Sequence, residues 1–189
     1  VLYRVFRATP GAAPTERGGP LYVPRDRQGA GRHDDPTRYG AWYAARTPEA
    51  AIAEVLQAFR GRDLVDADLA LVGGAHQTLA IVDDAALGPM LDLDDPAILT
   101  DHGWRPSRVA SRDRSVTQPM AVRAYTDGAL GLSWWSTLDA AWTNVTLFAE
   151  RTISTDDLTV VATERLTIRH PAVQAAAAHL GIPIGRPRR

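Results

Sequence analysis

Arg32, Tyr43 and Glu54 stand at matched intervals, each eleven residues from the next. Arg32 follows the glycine-rich run Gly29-Ala30-Gly31, Tyr43 lies in the apolar segment Ala41–Ala45, and Glu54 lies in a segment of helical period. On a helical wheel Glu54 sits with Ala50, Ala51 and Ala58, beside a stripe of Ile52, Val55 and Phe59. A carboxylate flanked by alanines leaves room for a ligand or for another backbone. Each of the three also has a structural role open to it. Glu54 is of a type usually solvated on a helix, Arg32 of a type usually found as a surface charge, and Tyr43 of a type that packs a core from a strand. Spacing alone therefore marks a polar constellation and does not name a reaction.

Other chemistries are excluded by composition. The 189-residue chain has no Cys, which removes thiol nucleophiles, disulfides and Cys-ligated zinc. Its 21 basic residues are all Arg, so there is no lysine for a Schiff base or a P-loop. No Walker A pattern, Rossmann glycine fingerprint, HExxH or Gly-x-Ser-x-Gly elbow occurs. His33, His76, His102, His170 and His179 lack metal-ligand spacing, and no metal is expected. A net charge of -1, with one basic cluster at Arg186, Arg188 and Arg189, gives no footprint for nucleic acid. No apolar run approaches the ~20 residues of a bilayer span and no signal peptide is visible, so a cytoplasmic protein off the membrane is expected. With 45% hydrophobic and 23% charged residues, one globular domain over 1–189 is expected.

The elements that must position these residues are readable in outline. Residues 2–7 alternate as a half-buried strand, and 41–45 form a second. Between them, Ala8 to Tyr39 is rich in Gly, Pro and charge without a period, the mark of a functional loop or of a missed element. Tyr22 and Val23 are expected to form a short strand within it. Thr47 caps a helix that opens with Pro48 and Glu49, carries Ile52, Val55, Leu56 and Phe59, and stops at Gly61. Strands are expected at 69–72, 78–82, 131–137, 144–149 and 158–163. Helices are expected from Asp95-Pro96 to Gly103, from Thr117 to Gly128, and from Pro171 to Leu180. The last has small residues on several faces, compatible with close packing or a homo-oligomer. Trp134 and Trp135 alternate across their strand, one toward the core and the other free to line a pocket. Trp42 points away from Tyr43 and is expected in the core. The mixture lacks a regular βαβ alternation and predicts an α+β fold.

In order and spacing these segments resemble the RES domain family, the toxins of bacterial RES–Xre toxin–antitoxin pairs. The resemblance rests on Gly31-Arg32, on Trp42-Tyr43-Ala44, on Ala51-Ile52-Ala53-Glu54 and on the opening Leu2-Tyr3-Arg4. Further on it rests on Gly131-Leu-Ser-Trp-Trp-Ser136 and Asn144-Val-Thr-Leu-Phe148. It covers roughly 1–165, with 60–125 similar only in general character. His33 departs from the family, standing where many members have an aromatic residue. The family serine falls on Ser136, with Ser133 as the alternative, and the first arginine on Arg4, with Arg7 as the alternative.

The resemblance implies a fold similar to diphtheria-toxin-type ADP-ribosyltransferases: a mixed sheet with peripheral helices. It implies NAD as substrate and no resident cofactor, with the nicotinamide–ribose bond cleaved by phosphate or water. A protein ADP-ribosyltransferase and a non-catalytic binding module are the alternatives on the same fold. Breaking that bond develops oxocarbenium-like charge on the ribose. The implied catalytic set is Glu54, to favour that charge, with Tyr43, to stack on nicotinamide, and Arg32. Arg32 and Arg4 suit the diphosphate, and Ser136 a phosphate. A cognate Xre-type antitoxin is the implied partner.

Overall fold

The computed structural model describes residues 1–153, 155 and 157–185; the basic cluster Arg186, Arg188 and Arg189 lies outside them. The chain divides into two compact units, each assembled from separated stretches.

The first unit comprises 1–22, 45–83 and the chain from Val160. Strand β1 (Leu2–Ala8) puts Leu2, Arg4 and Phe6 on one face and Tyr3, Val5 and Arg7 on the other, as its period of two requires. Leu2 and Phe6 are buried and Arg7 is exposed. β1 pairs antiparallel with β3 (His76–Asp83), from Leu2 opposite Val82 to Ala8 opposite His76. Helix α1 (Pro48–Leu56) begins as its sequence demands: Pro48 opens it, and the Thr47 side chain accepts the Ala50 N–H at 3.2 Å. Its buried residues are Ala50, Ala51, Ile52, Ala53 and Leu56. α1 packs on α7 (Pro171–His179), which buries Ala172, Val173, Ala176 and Ala177. The alanines beside Glu54 thus make room for another backbone: small side chains on both helices let them approach closely.

Residues 69–72, expected as a strand, are not one. Leu69 closes the one-turn helix α2 (Asp66–Leu69), and a 3-10 turn at 72–74 follows, in which Gly73 adopts φ +78°. That left-handed conformation cannot continue a strand. Near the end of the described chain, Leu64 N–H donates to Pro183 O at 2.8 Å and Gly185 N–H to Leu64 O at 2.9 Å, fastening the segment after α7.

The second unit comprises 23–44 and 84–159. It holds all of strand β2 (Ala41–Ala45) except Ala45, which pairs with Tyr3. The two-residue β4 (Leu91–Asp92) runs parallel to β5 (Gly131–Trp135), which is antiparallel to β6 (Thr143–Phe148). Helix α3 (Pro96–His102) is capped by Asp95 and ends at Gly103, as expected; α4 (Pro106–Val109), α5 (Arg114–Thr126) and α6 (Ala149–Thr152) complete the unit. Tyr39, Leu132, Trp134, Phe148, Met120 and Leu99 are among the buried residues of its core. Strand β7 (Thr159–Arg165) begins at the last residue of this unit and belongs otherwise to the first. The strand order is β4-β5-β6-β2 in the second unit and β1-β3-β7 in the first, with parallel and antiparallel pairs, and with the helices this makes an α+β fold.

Two further expectations are corrected in this unit and at its border. Tyr22 and Val23 form no strand; turn bonds replace a ladder, with Tyr22 N–H donating to Gly19 O and Arg25 N–H to Val23 O. Helix α5 starts one turn before Thr117, because Asp113 accepts the Ser115 N–H at 2.9 Å and so is the cap. Thr117 is interior and its hydroxyl has another partner, described below. Among the described residues, no helix is long and apolar enough to cross a membrane.

Candidate active site

The run before Arg32 is a turn closed by one carboxylate. Asp34, buried, accepts the N–H of Gly29 at 2.8 Å and of Gly31 at 2.7 Å on Oδ2, and the Tyr43 hydroxyl at 2.7 Å on Oδ1. Gly31 is required by this closeness: a Cβ there would fall 2.5–2.7 Å from the Asp34 carboxylate. The outer side of the turn is fastened to α5, where Gln118 Nε2 donates to the carbonyls of Gly29 (2.9 Å) and Gly31 (3.0 Å). Thr117 Oγ1 donates to Arg32 O at 2.6 Å. An aperiodic stretch is thereby made rigid by side chain-to-backbone bonds in place of a ladder.

Arg32 is 7% exposed. Its Nη1 donates to Val109 O (2.8 Å) and Ser111 O (2.6 Å), and its guanidinium lies 4.7 Å from the Trp134 ring centroid. A planar, weakly hydrated cation suits a buried position of this kind. His33 is buried too, edge-on to Trp134 at 5.3 Å, with Nδ1 2.9 Å from Thr146 Oγ1. Burial foremost, and then the charges of Arg32 and Arg114, pull its pKa down to about 3, so the imidazole is neutral at ordinary pH. Trp134 Nε1 donates to the same threonine oxygen at 3.2 Å, so Thr146 joins His33 and Trp134.

Tyr43 is half-buried on β2. Its oxygen accepts the His33 N–H at 2.9 Å while its proton goes to Asp34. Burial and the Asp34 charge raise the phenol well above its ordinary pKa, so it stays protonated. Trp42, next to it, is fully buried, as the alternation requires. Ser136 is 2% exposed, just beyond β5; its Oγ accepts the Leu138 N–H at 3.1 Å. Ser133, the alternative, donates to Asp92 Oδ1 at 2.8 Å and thereby links β5 to β4. The two tryptophans divide as alternation allows: Trp134 is buried, whereas Trp135 lines a pocket of about 470 Å³ with Leu99, Trp104 and Pro96.

The remaining two expected residues belong to the other unit. Arg4, on the apolar face of β1, donates from Nη2 to Tyr22 O at 2.9 Å. Burial lowers its pKa to about 9, which still leaves it cationic at neutral pH. Glu54 is half-buried on α1, where Gln57 Nε2 donates to its Oε2 at 3.0 Å and to its backbone carbonyl at 2.9 Å. The second unit therefore gathers Arg32 and Tyr43 about one turn and holds Ser136 after β5, and the first holds Arg4 and Glu54.

Three participants have no site role in the sequence reading: Asp34, Thr146 and Thr117, the last expected only as a helix start. Asp34 stands among other polar residues of an aperiodic loop, where no period marks it. Thr146 and Thr117 lie inside regular elements, where only their partners reveal them. Among the described residues, no three His, Asp or Glu side chains converge as a metal site.

Comparison with known proteins bears on this arrangement. Residues 1–169 match the family model of the RES domain. A solved M. tuberculosis structure, the MbcT–MbcA toxin–antitoxin complex, is similar at 22% identity with a TM-score of 0.65, over 93% of this chain and 88% of that one. No curated protein matches the chain.

Proposed function

The chain belongs to the RES domain family, and on that premise we propose that it is the toxin of a toxin–antitoxin pair and destroys NAD by cleaving the nicotinamide–ribose bond. In this reaction the C–N bond breaks with its electron pair going to nicotinamide, which leaves neutral. The ribose carbon becomes oxocarbenium-like and takes an oxygen from phosphate or from water; with water, a proton is released. The observation that carries the reading is the single turn that fixes both Arg32 and Tyr43, the cation and the aromatic such a dinucleotide requires.

Glu54 is the carboxylate that favours the developing positive charge and accepts from a ribose hydroxyl. Tyr43 presents a neutral aromatic face to nicotinamide, protonated because of its burial and Asp34. Arg32 and Arg4 supply positive charge toward the diphosphate, Arg32 while its Nη1 also holds the Val109 and Ser111 carbonyls. Ser136 takes a phosphate oxygen. The likeness to a toxin solved with its antitoxin supports a cognate antitoxin as partner; the reading takes the cytoplasm as the site of action, where such a coenzyme is plentiful.

The test is purified protein incubated with NAD, with and without inorganic phosphate, and product mass spectrometry against Glu54→Ala. Nicotinamide from the parent and its loss in the variant support the reading. A phosphorylated ADP-ribose then identifies phosphate as acceptor, and ADP-ribose alone identifies water. If neither condition yields nicotinamide, NAD degradation is wrong; label transferred from NAD to a protein in a lysate would then indicate a protein acceptor.

A further inference from the structure

We propose that Asp34 is a positioning residue for the cleavage reaction, one carboxylate that sets the turn carrying Arg32 and the ring of Tyr43 in a common frame. The inference rests on the NAD reading above. Its basis is a division of labour between two oxygens: Oδ2 accepts from the Gly29 and Gly31 amides on either side of Ala30, and Oδ1 accepts from the Tyr43 hydroxyl. The tie is closed a second time, since the His33 N–H, next in the chain to Arg32, donates to the same phenol oxygen. Strand β2 and the glycine turn are thus joined by a ring of bonds through Asp34, His33 and Tyr43.

Tyr43 consequently has a hydroxyl with two assigned partners and a ring whose angle follows from them. An aromatic face that stacks on a leaving group works only at a defined angle to the bond being broken, so orientation and stacking are separable contributions. Phenylalanine at 43 keeps the face and loses the orientation. Asparagine at 34 keeps the shape, but it has one acceptor oxygen where the carboxylate has two, so either the turn or the phenol meets an NH₂ group. Gly31 shows how tightly the arrangement is set, because no side-chain carbon fits between the turn and the carboxylate.

The experiment is a double-mutant cycle with NAD as the probe and nicotinamide release as the readout. Asp34→Asn and Tyr43→Phe are each expected to lower kcat by about 10- to 100-fold with a smaller change in KM. The double variant is expected to fall no further than the worse single one, because both changes remove the same tie. Losses that multiply in the double variant overturn the proposal, as they would mean that the two residues act separately. If Asp34→Asn does not fold, Tyr43→Phe alone decides: reduced kcat at near-constant KM supports the tie, and full kcat overturns it.

A readout independent of turnover separates this proposal from the reading beneath it. With tyrosine labelled at the ring carbon bearing oxygen, the Tyr43 NMR signal is assigned by its loss in Tyr43→Phe. It is expected to move in Asp34→Asn. If the parent releases no nicotinamide, the NAD reading fails and this signal alone decides: a moved signal supports the tie, and an unmoved one overturns it.

Discussion

The Gly29–Asp34 turn and helix α1 carry groups to which the proposed reaction assigns roles, and they are held in opposite ways. The turn has almost no apolar contribution of its own and is fixed by polar bonds of defined direction: Asp34 to two amides, Gln118 to two carbonyls, Thr117 to Arg32 O. α1 is fixed by burial of Ala50, Ala51, Ile52, Ala53 and Leu56, with one side-chain cap at Thr47. Directional bonds set atoms to within fractions of an ångström but fail as a group when one member is lost. Apolar packing tolerates small changes and loses stability in proportion to what is removed. The cation and the aromatic that the proposed reaction would need oriented sit on the first kind of support. The carboxylate proposed to act through its charge sits on the second, where a helix is sufficient.

This contrast is open to direct attack. The largest effect is expected from Glu54→Gln, which removes charge and leaves the packing of α1 intact. Nicotinamide release should fall by about 10²- to 10³-fold, with little change in the thermal midpoint. Full release by the purified variant would reduce α1 to a packing element. Next is Ile52→Ala in the fully buried face of α1, expected to cost about 2–5 kcal/mol in urea denaturation. A negligible loss would mean that apolar packing is not what holds this helix.

The buried imidazole of the turn gives a pH test. His33 has a folded pKa of about 3, below its ordinary value of about 6.5, so the unfolded chain binds the proton first. Its contribution is fully present above about pH 6.5 and declines as pH falls from there toward 3. Replacing His33 with Gln should flatten the stability profile over that window; an unchanged slope would show that other groups control it. Thr117→Val, which leaves the Arg32 carbonyl without its hydroxyl partner, is expected to cost about 1–3 kcal/mol. It should also reduce nicotinamide release, because it loosens the directional support. The smallest effect is expected from Thr47→Ala, about 1 kcal/mol for a lost cap with turnover unchanged.

The same contrast explains what could be read from the residues. α1 follows from its cap, proline and apolar period, α3 from Asp95 and Pro96, and β1 from its alternation, because burial and capping leave a mark on the chain. Polar closure of a turn imprints none: Asp34 looks like any loop aspartate until Gly29, Gly31 and Tyr43 are seen around it. Elements of two to four residues, such as β4 and α4, are too short to show a period. Thr117 illustrates competition between local signals, since a threonine ahead of an apolar run reads as a cap although Asp113 takes that role. The pair of tryptophans at 134 and 135 had to divide between two faces, but which one enclosed Arg32 depended on contacts across β6 and from distant loops.

The order in which the chain is made gives α7 a separate significance. The cover for the alanine face of α1 is supplied by Ala172, Val173, Ala176 and Ala177, which emerge from the ribosome more than a hundred residues after Glu54. A nine-residue helix is too short to persist in water without tertiary support. An unfinished chain therefore contains every proposed catalytic group long before the helix bearing its carboxylate can settle. On the proposed reading, activity should arrive only after α7 has emerged, so the coenzyme of the cell would be spared by each nascent copy until then.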